Sequence, residues 1–114
     1  MNRRYRLTRG SDFARVRKQG RSWAHPLLIL SADRNEVGQT RFGFIVSRRV
    51  GKAVVRNRVK RRIREAVRRH LAEAPVGWDM VFLARTPIVE ASFADIENAV
   101  LDLLRRARSW VAGR

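Results

Sequence analysis

The sequence predicts an α+β sandwich, helices covering a small sheet, in the order α-(β)-β-β-α-β-α. Three patterns carry that prediction. Val55, Val59, Ile63, Val67 and Leu71, with Ala66, step round an arc of about 160° at 100° per residue, one continuous apolar helical stripe. Phe42, Phe44 and Val46 alternate with Gly43, Ile45 and Ser47, the period of a strand. Phe93, Ile96, Ala99, Val100, Leu103, Leu104 and Ala107 recur at helical spacing and mark a second amphipathic helix, whose pattern is core packing.

In chain order, residues 1–9 form a basic segment expected to be extended and flexible. Ser11 suits an N-cap, Asp12 the positive end of a helix and Gly20 a terminator, so Ser11–Gln19 is a short helix. Phe13 and Val16 share a face of it, and spacing alone favours a core role for Phe13. Arg21–Ala24 is a short strand ended by His25-Pro26. Leu27–Ala32 could be strand or buried helix, but Pro26 and the polar 33–40 loop limit it to strand length. The loop is read as a hairpin connection to strand Arg41–Ser47. Gly43 leaves room in that strand for a close neighbour. The helix of the first stripe begins near Ala53 or Val54 and ends near Glu73, stopped by Pro75 and Gly77. Asp79–Arg85 is the next strand. Ser92 and Asp95 form a capping-box start for the last helix, and residues 109–114 are expected to be a flexible tail.

A length of 114 residues suits one domain, 1–114, with one modest core. The net charge of +16, from 26 basic and 10 acidic residues, points to nucleic acid or an anionic membrane. With no cysteine, disulfides, thiolate zinc sites and thiol catalysis are excluded. No apolar run approaches the ~20 residues of a membrane span. The basic start is not followed by an apolar signal segment, so the expectation is a cytoplasmic protein without a membrane partner.

Charge comes in blocks. Residues 41–71 hold twelve cations and one acid, whereas 72–104 hold six acids and one cation. On the helix, Arg58, Arg61, Arg62, Arg64, Arg68 and Arg69 lie opposite the apolar stripe, while Arg56 and Lys60 project within its angular range. Like charges at i,i+4 repel by a few tenths of a kcal/mol per pair, and only Glu65 offers relief, to Arg61 and Arg69. A face shaped for solubility would mix signs; this one fits a polyanion.

No catalytic residues or metal ligands emerge. His25 and His70 lack acidic or histidine partners in any ligand pattern, and His70 is expected to meet the carbonyls at its helix end. Acids in the last third stand singly, and Gly51-Lys52 lacks the glycine spacing of a phosphate loop. A self-contained nuclease is therefore disfavoured. A basic helix beside a sheet with aromatics suits single-stranded nucleic acid, and a general RNA- or DNA-coating protein is the alternative.

The run SRRVGKAVVRNRVKRRIRE resembles the signature of the bacterial ribonuclease P protein subunit, with Arg56-Asn57-Arg58 matching its central Arg-Asn-Arg motif. LTRGSDFARVRKQG, FGFIVSRR and DMVFLARTP resemble further segments of that family, so the likeness covers roughly Leu7 to Arg108. The resemblance implies an α-β-β-β-α-β-α sandwich with a small mixed sheet and a left-handed crossover through the basic helix. It implies two partners: a catalytic RNA subunit, which carries the cleavage chemistry, and the 5′ leader of precursor tRNA. Magnesium would be held mainly by the RNA. RNA-binding residues carried over are Ser47, Arg48, Lys52, Arg56, Asn57, Arg58, Lys60, Arg61, Arg62, Arg64 and Arg68. The implied leader cleft takes Phe13, Arg17, Arg56 and Lys60, giving Phe13 a role beyond packing. The chain departs from the family where Arg17 stands in place of a frequent second aromatic and where 27–32 lacks a tyrosine. Both departures imply a grip on the leader with more charge and less stacking.

Overall fold

Strands β1 (Arg21–Ala24), β2 (Leu28–Arg34), β3 (Arg41–Ile45) and β4 (Trp78–Ala84) form one mixed sheet in the order β1-β2-β4-β3. The computed structural model describes residues 2–114, so of the basic segment 1–9 only Met1 lies outside the described residues. Helices α1 (Gly10–Gln19), α2 (Ala53–Arg69) and α3 (Phe93–Ala112) complete the order α-β-β-β-α-β-α.

β4 is almost continuously apolar because it is interior to the sheet, covered on one face by α2 and α3 and over most of its length on the other by α1. It pairs antiparallel with β2, Ile29 opposite Leu83, and parallel with β3, Ile45 opposite Leu83. The hairpin expected from loop 33–40 is therefore corrected: β2 and β3 never pair. β1 occupies one edge of β2 and β4 the other, so β3 finds its partner only across α2.

One sheet face carries the main core. Trp23, Leu30, Phe82 and Phe44 lie in register across all four strands, and the last two rings stack 6.1 Å apart. Onto this face pack Val59, Ile63, Ala66 and Val67 of α2 and Ile96, Ala99, Val100, Leu103, Leu104 and Ala107 of α3, all buried. Ser92 caps α3: its Oγ accepts from the Asp95 N–H at 3.0 Å, and the Asp95 carboxylate accepts from the Ser92 N–H at 3.3 Å. Ser92→Ala should cost about 1 kcal/mol, read as a fall of roughly 3–6 °C in the thermal midpoint. Because the cap lies away from the cationic helix face, RNA affinity should not change.

Both ends of the chain are better anchored than the sequence suggests. The segment before α1 turns through a 3₁₀ turn at Arg3–Tyr5, and the buried Leu7 donates its N–H to the Phe42 carbonyl at 2.7 Å. It thereby covers the outer edge of β3, which has no other strand partner. At the other end α3 continues to Ala112, and Trp110 sits edge-on to Trp23 and Trp78 at 5.8 and 5.7 Å. Those indoles bury too much apolar surface for 109–112 to be a loose tail. α1 begins one residue before Ser11, with Arg9 at the N-cap and no side-chain cap.

Candidate nucleic-acid interface

The second sheet face holds three rows of side chains. Ala24, Ile29, Leu83 and Ile45 lie in register in the first row, and none of them is buried. Ser22, Ser31, Val81 and Gly43 form the second, with the two serine hydroxyls 2.8 Å apart. Asp33, Asp79 and Arg41 form the third. α1 lies over the second and third rows, with Phe13 on Gly43 and Arg15 on Asp33 and Asp79. It leaves the first as a partly open apolar floor in which Ala24 is exposed and Ile29, Leu83 and Ile45 are half-buried.

Phe13 and Gly43 explain each other. A Cβ on Gly43 would stand 2.6 Å from Cζ of the Phe13 ring, so glycine lets the ring lie directly on the strand backbone. The ring also packs with Ile45, Leu7, Val16 and Val81, and it remains half-buried at the margin of the open floor. Phe13 thus contributes both to packing and to an accessible aromatic edge. Arg17, one turn on, is exposed.

The third row was not legible as a unit. Asp79 is the only charged residue buried among the described residues. Its carboxylate accepts from Arg41 at 2.9 and 2.8 Å, from Asn35 at 2.9 Å and from Arg15 of α1, which also holds Asp33 at 2.6 Å. Burial alone would raise the Asp79 carboxyl, but the donors from Arg41, Asn35 and Arg15 outweigh it and hold it below the ordinary aspartate range. A lone Asp beside the apolar Met80–Leu83 was the available signal; its partners are 38 and 64 residues away.

On α2 the structure divides the cations. Asn57, Arg58 and Arg61 are exposed, and neither arginine has a carboxylate partner among the described residues. Arg68 is engaged with Glu65 through two hydrogen bonds at 2.9 and 2.6 Å, which hold the Glu65 carboxyl down to about 2. The expected relief of Arg61 by Glu65 is replaced by this i+3 pair, with Arg69 retained at 3.4 Å. Arg62 donates to the Ala91 carbonyl at 3.2 Å and so ties α2 to the turn before α3. Arg56 and Lys60 are half-buried, and Arg56 donates to the Gly51 carbonyl at 3.2 Å. Ser47, Arg48 and Lys52 are exposed in the turn that leads into the helix.

Arg64 is the most telling of them. Its guanidinium lies 5.7 Å over the Phe44 ring, and its Nε is buried without a partner. Burial, and then the like charge of Arg6, lower its proton affinity below that of an ordinary arginine. Two cations facing each other with an unused donor are relieved by an anion. His70 does not cap its helix with its ring: Nε2 lies 3.1 Å from Glu97 on α3, because that carboxylate lies across the helix pair within reach.

The whole chain is similar to one protein family in sequence and in fold. The family model described as Ribonuclease P matches residues 1–108. The chain is 47% identical over 108 residues to the ribonuclease P protein component of Roseiflexus castenholzii, covering 94% of this chain and 88% of that protein. It is 48% identical over 108 residues to that of Chloroflexus aurantiacus, covering 94% and 80%. Among solved structures, the RNase P protein of Staphylococcus aureus superposes with a TM-score of 0.83 at 33% identity, over 90% of this chain and 94% of that one. The Thermotoga maritima RNase P protein gives 0.82 at 32%, over 89% and 96%.

Proposed function

The chain belongs to the ribonuclease P protein family, the protein component of a tRNA-processing endoribonuclease that works with an RNA subunit, and from that premise we propose how its surfaces divide the work. The outward cations of α2 bind the catalytic RNA. The open first row of the sheet, bounded by Phe13 and Arg17, holds the 5′ leader of precursor tRNA. The observation that carries this reading is the pairing of an uncovered apolar floor and aromatic edge with a cationic helix whose charges are mostly unspent. Bases stack on such a platform while the phosphates meet guanidinium groups.

In this reading the chain holds and the RNA cleaves. Among the described residues no three acids, histidines or cysteines converge as a ligand set. The three aspartates that do gather, Asp12, Asp33 and Asp79, are all paired with the Arg15 guanidinium, a cation already in place. The residues therefore do not fit a magnesium site, and the reading assigns the ion to the RNA partner. Cations on the protein offset phosphate repulsion, so the gain is largest at low magnesium. A leader held in place makes engagement of the cleavage site effectively intramolecular.

The test is cleavage of a 5′-extended precursor tRNA at low magnesium, with the RNA subunit alone, the protein alone and both. Stimulation should appear only in the mixture and vanish when the leader is trimmed to one nucleotide. Phe13→Ala should weaken binding of the extended substrate about tenfold while leaving trimmed substrate unaffected. Stimulation indifferent to leader length would favour the coat-protein alternative.

A further inference from the structure

Asp79 poses a problem that packing does not answer. A buried ion pair rarely adds stability over well-packed apolar residues, because two charges must leave water. Yet on a chain of net charge +16 one carboxylate is fully buried and takes donors from three separate segments: α1, the 35 loop and β3. Such groups contribute orientation where they do not contribute free energy.

The orientation at stake is that of α1. At 100° per residue, Phe13 and Arg17 project from one flank of α1, and Arg15 projects about 160° away from each. Arg15 thus anchors the flank away from the open floor, and Phe13 and Arg17 emerge on the flank that borders it. The Asp79 carboxylate and Asp33 fix the guanidinium from below, and Arg41 fixes Asp79 from the neighbouring strand. Without the tether, α1 is held by Val16 and Phe13, which pack with Leu7 and Val81 in a small apolar cluster separate from the main core, and by the longer Asp12–Arg41 pair at 4.0 Å. Apolar contacts of that size permit rolling; a forked ion pair does not.

We propose that the Asp79–Arg15 ion pair is a positioning device for leader recognition: it fixes the roll of α1 and so sets the Phe13 ring and Arg17 at the height of the open sheet floor. Asp79 and Arg15 are positioning residues and touch no substrate. The inference rests on the leader reading given above.

The experiment measures dissociation constants of holoenzyme for precursor tRNA with a long leader and with a one-nucleotide leader. It compares wild type, Arg15→Ala, Asp79→Asn, Phe13→Ala and each positioning variant combined with Phe13→Ala. All are assayed below their thermal midpoints, and Arg15→Ala removes the tether from its exposed end should Asp79→Asn fail to fold. Either positioning variant should lose about tenfold for the long leader and nothing for the short one. In the Phe13→Ala background that loss should shrink, since one of the two positioned groups is gone and only Arg17 remains to be placed. A purely structural ion pair predicts a lower midpoint with an unchanged long-to-short ratio, and that result overturns the proposal. So does a loss that simply adds to that of Phe13→Ala. A wild-type ratio of one would instead overturn the leader reading itself, before any variant is considered.

Discussion

Asp79→Asn should lower the thermal midpoint by roughly 10–15 °C at pH 7, the equivalent of about 3 kcal/mol in a domain of this size. The substitution keeps the shape and removes the charge. Arg15 and Arg41 are then left side by side with an amide that presents donors where acceptors are needed. The effect also has a definite pH signature. A carboxyl held low in the folded state contributes stability that is fully present above its unfolded value, near 4, and is lost as pH falls toward the folded one. The midpoints of wild type and variant should therefore stand farthest apart above about pH 5 and converge as pH falls below the ordinary aspartate range. Thermal melts across that range check it. A constant gap would mean that the charge of Asp79 is not what the variant removes.

The second large effect concerns α2. Arg58→Ala with Arg61→Ala should weaken binding to the RNA subunit about 100-fold near 0.1 M salt, since each charge-assisted phosphate contact is worth about 1.4 kcal/mol. The slope of log K against log salt should flatten by about 1.4–1.8, two counterions fewer. Arg68→Ala is the internal comparison. Arg68 already spends its fork on Glu65, and its loss frees a carboxylate near the surface. It should flatten the slope by less than either exposed arginine does. Filter binding at four or five salt concentrations separates the cases, and equal slopes for all three residues would show that the helix acts as an undifferentiated charge.

Most of the architecture was legible because periodicity and burial are local. The stripes of α2 and α3, the capping box at Ser92 and the limits of β1 and β4 match the structure to within two residues. α2 itself ends at Arg69, four residues before the expected Glu73, because the chain tightens into a 3₁₀ turn at Leu71–Glu73. Strand order was not legible. Loop 33–40 has the length of a hairpin, and nothing in it reveals that β4, more than thirty residues on, takes the place beside β2. The arrangement of the candidate site was partly legible for the same reason. Phe13, Arg56 and Lys60 were marked by spacing and by likeness, whereas the third row needed Arg15, Arg41 and Asp79 brought together from distant segments. Nor could sequence separate Arg58 and Arg61 from Arg62 and Arg68, since that depends on which acceptors the fold places in reach.

The central place of β4 also sets a timetable. The twelve cations of residues 41–71 precede in the chain the strand that joins β2 to β3. Until Trp78–Ala84 emerges, β3 has no strand partner and α2 no finished sheet to lie on. Assembly of the sheet therefore waits on long-range pairing, the slow kind. The most basic helix thus comes before the strand that completes its support, and it gains a fixed platform only once β4 is seated between β2 and β3.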